Sequence, residues 1–579
     1  MKMDQHQIAH VLEEIAAILD LTGENPFKVR AYANAARIID ALGEDLEKLI
    51  RENRLIEIKG IGKNLAAHIE ELAQSGRVKE YKKLRAKIPG GVFEMMNIPG
   101  LGPKKVGLLW KKLNVTTVAQ LEEACHKGRI AALEGFGEKS QQKILQGIGN
   151  AKRYSSRHLY PEAETSALEL FTQIKKHRDI IRAEIGGSLR RRIETIGDID
   201  IVVSTKAPVK VMNFFASLKM VDQIIAQGAT KTSVILTSGI NADLRAVTDA
   251  EFPFALHYFT GSKAHNIAMR QRAISRGMKL NEYGLFKGKS EKAVACREEK
   301  DLFRALGIPF IPPELREDMG EIAAAENEKL PSLVEEKDLR GVLHAHSTYS
   351  DGKATLEAMA AVARKFGFEY LGISDHSKSA SYAGGMTVEK IEKQHAEIDA
   401  LNKKMRGFRI LKGIECDIMP DGSLDYDNQV LARFDFVIAS IHSRFNMTED
   451  EMTKRIITAI RNPYVTILAH PTGRLLLTRE PYAVDMHAVI DEAAKLGVAI
   501  EINAHPQRLD LDWRLGIYAK QKGLKSSINP DAHSTSGITA MRYGVGIARK
   551  AWFEKKDILN CLSTEKLLLS LAQRKEKAG

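Results

Sequence analysis

Only four cysteines occur in 579 residues (Cys125, Cys296, Cys416 and Cys561), and no two stand at a paired spacing. Such a chain has no disulfide framework and suits a reducing compartment. No apolar run approaches the roughly 18 residues of a membrane span. The opening "MKMDQHQIAH" has no apolar h-region, which argues against an ordinary signal peptide. A cytoplasmic protein without a membrane partner is expected.

The length calls for three to five domains, because single cores stop growing well below this size. Apolar and charged fractions of 44% and 28% are those of ordinary globular proteins. The net charge of +12 favours a polyanionic partner. Residues 1–340 carry +8 of it and residues 341–579 carry +4.

Through residues 1–150, apolar positions recur at three- and four-residue spacing, the helical pattern, punctuated by Gly pairs. One element recurs in "IEIKGIGKNLAAHI" (56–69), "MNIPGLGPKKVGLL" (96–109) and "LEGFGEKSQQKIL" (133–145). Glycine at both ends lets a turn tighten and lets a ligand approach its backbone N–H groups. The helix that follows offers its positive N-terminus to phosphate. Lys59 and Lys63 flank the first turn, and Lys104 and Lys105 the second, while the third has Glu138 beside Lys139. The three elements resemble helix-hairpin-helix DNA-backbone motifs. That resemblance implies DNA contacts from Gly60, Gly62, Lys63, Gly100, Gly102 and Lys104.

Short β-branched runs take over from about residue 180. In "GGSLRRRIETIGDIDIVVS" (186–204), Asp198 and Asp200 stand two apart on an expected strand, so their carboxylates share a side. Asp243, in "NADLRAV" (241–247), supplies a third acid, with Arg245 on the same face. Hard cations such as Mg²⁺ take carboxylate oxygens plus substrate phosphates. Two ions about 3.5–4 Å apart would serve an in-line displacement. Gly187 and Ser188 suit a phosphate, and Arg190, Arg191 and Arg192 can neutralise a triphosphate.

These blocks, with "HYFTGSKAHNIAMRQRAISRGMKLNEYGLF" (257–286), resemble the family X DNA polymerases over about residues 1–320. The resemblance implies that Asp198, Asp200 and Asp243 hold two Mg²⁺ ions and that Ser188 and Arg191 bind the triphosphate. It places Tyr258, Phe259 and Gly261 at the sugar, Asn266 at the incoming base and Arg270 on the template side. It divides the chain into a gap-binding domain (1–90), a DNA-gripping fingers-like domain (91–150), a catalytic palm (151–249) and a nucleotide-selecting thumb-like domain (250–318). The family's lyase lysine falls at His68, which cannot form an imine; only nearby Lys63 leaves that chemistry an opening. Lys263 stands where polymerase beta has an acid, so a more electrostatic grip on nucleotide is expected.

A charged stretch follows, read as a linker (319–340). Beyond it, apolar runs such as "YLGIS", "FDFVIAS", "VTILAH" and "VAIEIN" alternate with amphipathic helices, the pattern of a parallel sheet or barrel. Nine of the 17 histidines lie after residue 340. His344, His346, His376, His442, His470 and His533 follow strand-like runs, where a β/α barrel gathers its catalytic groups. Asp351, Glu415 and Asp531 join them. Nine mixed N/O ligands suit two or three Zn²⁺, Mn²⁺ or Fe²⁺ ions. His395 and His487, on expected helices, are read as packing or surface residues, and His505 as a neighbour of the site.

"HAHSTYSDG", "SDH", "GIE", "SIH", "AHP" and "DAH" resemble the PHP (polymerase and histidinol phosphatase) phosphoesterases in order and content over residues 341–575. The resemblance implies that all nine residues are ligands, with Arg474 and Arg508 as phosphate partners. The expectation is thus a multidomain chain: an all-α helix-hairpin-helix region, an α+β palm and thumb like those of DNA polymerase beta, and a β/α PHP barrel. It would act as a monomer on gapped or primer-template DNA with dNTPs. The barrel would add a 3′-to-5′ exonuclease, and cleavage at abasic sites would be a further activity. Two rivals are a polymerase fused to a small-molecule phosphatase and a non-catalytic DNA-binding scaffold.

Overall fold

Helical periodicity winds the first unit of the chain, residues 1–155, almost wholly into helices. The protein is described here from a computed structural model, which covers all residues except 1, 2, 4, 41, 43–45, 59, 77, 87, 97, 99, 100, 155, 289, 291 and 577–579. Two cores form in this unit. Ile8, Leu12, Ile15, Ile39, Ile69 and Leu72 pack in the first, and Val92, Met95, Val106, Leu109, Leu121 and Ile148 in the second. The first two Gly-apolar-Gly turns bury their apolar residue, Ile61 and Leu101, and the third leaves Phe136 half-buried against the second core. The next helix starts at once, at Lys63–Ser75 after Gly62 and at Pro103–Leu113 after Gly102. Gly100 and Lys59 lie outside the described residues.

The second unit, residues 156–579, begins with a five-stranded sheet. Its strand order is Ile180–Ile185, Asp198–Thr205, Asn241–Val247, Lys231–Leu236, Val221–Gln227. Only the Asp198–Thr205 and Asn241–Val247 pair is parallel, with Asp200 opposite Asp243. Ile199, Ile201 and Val203 pack with the helices Tyr160–Ile174 and Pro208–Ala216. The period of two then turns Asp198 and Asp200 to the other face, where Val202 meets Phe252, Ala255 and Leu256 of the helix Phe252–Thr260. Residues 252–326 form a mostly helical domain around Phe254, Met269, Leu302 and Phe303.

The stretch read as a linker is not a free tether. Its helix Glu321–Glu326 buries Ala325 in the preceding core, and Glu321 meets His265 at 2.7 Å. Val334 is buried in the core of the following barrel and bonds Phe553 through its N–H. One of its charges, Glu321, is thus spent on a buried pair, whereas Lys337 and Glu335 pair at the surface.

Seven parallel strands, each hydrogen-bonded to the next in chain order, build the last domain: Gly341–Val342, Tyr370–Ile373, Arg409–Asp417, Phe436–Ser440, Val465–Leu468, Ala499–Asn503 and Ser526–Asn529. A backbone bridge from Ala345 to Ala532 ties the first strand's end to the last, nearly closing a barrel. Leu343, Tyr370, Leu411, Phe436 and Ile467 pack with Leu567 and Leu571 of the C-terminal helix Thr564–Glu576.

Candidate active sites

Strand pairing sets the first centre. Asp200 and Asp243 are direct partners on adjacent strands, and Asp198 lies two residues from Asp200 on the same face. Burial, then the charges of Asp198 and Asp243, push the Asp200 carboxyl up to about 7. Burial and Asp243 raise Asp198 as well. The carboxylates repel one another, and Asp243 takes Lys231 as its counter-ion at 2.6 Å. Hence they face each other without drawing to the mutual 4.8 Å seen among the barrel's clustered histidines and acids. Two half-buried carboxylates, Asp200 and Asp243, beside the exposed Asp198 offer oxygen ligands of the kind hard divalent cations take.

Behind Asp200 the chain must pass very close. A Cβ on Gly187, whose φ is +60°, would lie 2.1 Å from Asp200 Oδ2. Only glycine fits there. Ser188 follows in the short helix Gly187–Arg190. Gly186 abuts the Phe259 carbonyl, so the turn lies against Tyr258–Gly261. There Asn266 Nδ2 donates to the Tyr258 carbonyl at 2.7 Å, and Arg270 Nε to the Asn266 carbonyl at 3.2 Å. Gly261 leaves room for the Asn266 amide, whose Oδ1 is buried without a hydrogen-bond partner.

Of the three arginines, Arg190 is committed to Glu299 and Thr260. Arg191 bonds Glu317 and the Thr260 carbonyl. Arg245 stacks on Phe259 at 4.8 Å, and both wall a cavity of about 680 Å³ whose lining contains none of the three acids.

In the first unit, Gly62 and Gly102 cap their helices with φ of −85° and −80°, and a Cβ on either would meet nothing within 4 Å. Lys63 and Lys104 open the two helices and are exposed. His68 bonds the Tyr32 hydroxyl at 2.8 Å.

The second centre lies at the C-terminal ends of the barrel strands. Glu415 is its hub: His376 Nδ1, His470 Nε2, His442 Nε2, His344 Nε2 and His346 Nε2 lie 2.9, 3.0, 3.3, 3.6 and 3.7 Å from its carboxylate. Asp531 Oδ1 stands 3.2 Å from His346 Nε2 and 3.7 Å from His533 Nδ1. Asp351 Oδ1 lies 3.4 Å from His533 Nε2. The donors fall into three overlapping groups: His346, Asp351, His376 and His533; His344, His346 and Asp531; His376, Glu415 and His442. His470 joins through Glu415.

The buried atoms His344 Nε2, both His346 ring nitrogens, His376 Nδ1 and Glu415 Oε2 have no hydrogen-bond partner. Buried polar groups rarely go unsatisfied, so these donors fit metal ions. Burial would raise the Glu415 carboxyl, but His376, His442 and His344 hold it well below its ordinary range. Burial, then His533 and His376, lower His346 to about 3, so the ring is neutral and one of its nitrogens keeps a lone pair for a metal. His470 and Asp531 have φ of +27° and +52°, backbone strain of the kind concentrated at functional sites.

Sequence reasoning missed several supports. Glu501 accepts from His344 Nδ1 at 2.7 Å and from the His470 N–H at 2.9 Å. Asp417 accepts from His442 Nδ1 at 2.5 Å. Asp375 accepts from the Ser347 N–H and hydroxyl and from Gln394, pinning the loop that carries His346 and Asp351. The available signal was an acid inside an apolar run, as in "VAIEIN". Arg474, read as a phosphate partner, instead bonds the carbonyls of Arg508 and Leu509 and the Asp512 carboxylate. Arg508 is left at the pocket, 3.5 Å from Asp531. His395 and His487 pack against Phe434 and Tyr518, and His505 belongs to none of the donor groups.

Residues 255–317 match the DNA polymerase beta thumb family and residues 343–505 the PHP domain family. Residues 3–78 match a helix-hairpin-helix domain, and 93–150 a SAM-like helix-hairpin-helix tandem. A Bacillus subtilis (strain 168) protein named DNA polymerase/3'-5' exonuclease PolX is 40% identical over 97% of this chain and 98% of its own. The chain belongs to the family X DNA polymerases that carry a PHP domain. Both parts of this family X chain also have separate relatives. Rat DNA polymerase lambda is 23% identical, covering 54% of this chain and 56% of its own. A probable phosphatase of Thermoanaerobacter sp. (strain X514) is 29% identical over 41% of this chain and 96% of its own.

Proposed function

We propose that the protein fills short gaps in DNA at the Asp198, Asp200 and Asp243 centre and removes nucleotides from 3′ ends at the barrel centre. Its substrates are gapped or primer-template DNA and dNTPs, and it acts as a cytoplasmic monomer. In the palm, the three acids would hold two Mg²⁺ ions. Ser188 and Arg191 bind the triphosphate, Tyr258, Phe259 and Gly261 take the sugar, Asn266 meets the base edge and Arg270 the template side. In the barrel, His344, His346, Asp351, His376, Glu415, His442, His470, Asp531 and His533 would hold two or three Mn²⁺ or Zn²⁺ ions, and Arg508 meets the scissile phosphate. Such ions, when bound, neutralise charge at the reacting phosphate and acidify the attacking hydroxyl or water. The exposed Gly62 and Gly102 turns, with Lys63 and Lys104, grip the DNA backbone without reading sequence. Arg245, beside the acids, contacts the primer-template.

One observation carries the reading: this single chain holds a carboxylate set on paired strands and a separate pocket of buried, unpartnered imidazole and carboxylate atoms. Replacement of single ligands tests it. Asp198→Ala should abolish primer extension and spare 3′-end hydrolysis, and His344→Ala should do the reverse. Loss of both activities in either variant would refute independent centres. A duplex with an abasic site, offered to the same two variants, tests strand cleavage by the barrel.

The likeness of the barrel to a probable phosphatase favours a second reading, hydrolysis of small phosphomonoesters. Turnover of histidinol phosphate without release of nucleotides from a DNA 3′ end would select it.

A further inference from the structure

The turn that carries Arg191 is gripped by the barrel domain. Gly546 on the barrel helix Met541–Lys550 lets that helix approach closely, since a Cβ there would fall 2.9 Å from Arg192 Cδ. Ile193 packs into the barrel core. Glu194 accepts from Trp513 Nε1 and from Arg514, each at 2.9 Å. Lys550, the last residue of that helix, reaches across with its side chain fully buried.

There Lys550 Nζ donates to Glu317 Oε1 at 2.5 Å and to the Arg191 carbonyl at 3.2 Å, and its ammonium lies over the Trp513 ring at 4.3 Å. Arg191 Nε donates to the same Glu317 oxygen at 2.9 Å. Two cations thus share one carboxylate. If Arg191 alone held Glu317, turning to a triphosphate would leave a largely covered anion without a partner, which is unfavourable. With Lys550 in place, the carboxylate keeps a partner when the guanidinium moves.

We infer that Lys550 of the barrel is a positioning residue for the polymerase reaction: it holds Glu317 so that Arg191 is free to bind the incoming dNTP. This rests on the assignment of Arg191 to the triphosphate. It makes the hydrolytic domain a working part of the nucleotide site and not only a second enzyme on the same chain. Burial and the nearby Arg191 charge lower the Lys550 ammonium, to about 8, against the pull of Glu317.

The test is steady-state single-nucleotide gap filling with the full chain, with 3′-end hydrolysis measured on the same samples as a folding control. Lys550→Met should raise KM for dNTP roughly 10-fold while changing kcat by less than about 2-fold, a coupling of the usual size for residues in one charge network. Hydrolysis should be unchanged. Lys550→Arg should restore most of the affinity. Glu317→Gln removes the competitor for Arg191, so Lys550→Met combined with Glu317→Gln should return KM to near the wild-type value. A double variant as weak as Lys550→Met alone would overturn the proposal. If Lys550→Met loses hydrolysis too, Glu317→Gln alone decides: an unchanged or lower KM supports the proposal and a raised KM overturns it. Arg191→Ala separates the two claims. An unchanged KM there sinks the triphosphate assignment, whereas a raised KM with Lys550→Met silent sinks only the role of Lys550.

Discussion

Glu501 Oε1 accepts a hydrogen bond from His344 Nδ1 across 2.7 Å, and this leaves His344 Nε2 turned toward Glu415 and Asp531 at 3.6 and 3.5 Å. The same carboxylate accepts from Asn503 and Asn529 and is wholly buried. Partners of this kind fix the ring and raise its basicity, and their loss costs about 10–100-fold in metal affinity or activity. Glu501→Ala should therefore slow 3′-end hydrolysis by about that factor, with part of the loss recovered at high Mn²⁺, while primer extension stays unchanged. Metal titrations of both activities check this.

The Gly187 turn has no slack. An added methyl group would drive into Asp200 Oδ2 at 2.1 Å, at a φ of +60° that disfavours any Cβ. Displacement of a reacting group by about 1 Å can cost 10²-fold. Gly187→Ala should cut kcat for extension by at least about that factor and leave 3′-end hydrolysis intact, as assayed on one preparation.

Most of this architecture was legible in the residues because its chemistry is local. Asp198 and Asp200 declare a shared strand face by their spacing, and His376, Glu415, His442 and His470, among the nine candidate ligands of the barrel, stand at the ends of apolar runs. What was not legible came from contacts across the fold. Glu501 stands 157 positions from His344, and no spacing rule connects them. Arg474 looked like a phosphate ligand because charge is visible in a sequence and the carbonyls that occupy it are not. The 319–340 stretch read as a linker for a related reason: Glu321 is charged, but its partner His265 lies 56 positions upstream. The lone Lys550 gave no sign at all of its place beside Arg191.

The palm acids link stability to pH. The Asp200 carboxyl is raised in the folded protein to about 7 from an ordinary 3.8. A raised folded value means that the native state binds the proton more tightly than the unfolded chain. The resulting stability is fully present below about 4 and is lost as pH rises through about 7. Asp198, also raised, acts in the same direction. With EDTA present, the melting temperature of the second unit should fall across this window, by an amount equivalent to roughly 2–4 kcal/mol. Asp200→Asn should flatten the fall, and Mg²⁺ added to the wild type at alkaline pH should reverse it. Calorimetry across the window decides; a wild-type profile as flat as that of Asp200→Asn would refute the linkage.

The paired turns of the first unit separate glycines needed for folding from glycines needed for a ligand. Gly60 has φ of +102°, and a Cβ there would meet Ile38 Cδ1 at 2.8 Å, so its fold demands glycine. Gly62 and Gly102 have ordinary φ and open space where a side chain would go. Nothing inside the protein excludes a larger residue at those two positions, but a phosphate approaching the helix N-terminus would be blocked. Gly62→Val and Gly102→Val should leave the melting temperature nearly unchanged and weaken DNA binding, while Gly60→Val should destabilise the unit itself. Lys63→Ala and Lys104→Ala should each weaken binding to all sequences alike and reduce the slope of log K against log salt by about 1. Binding isotherms at several salt concentrations measure both effects. A variant of Gly62 that melts early, or a lysine variant with an unaltered slope, would remove these turns from the DNA-binding surface.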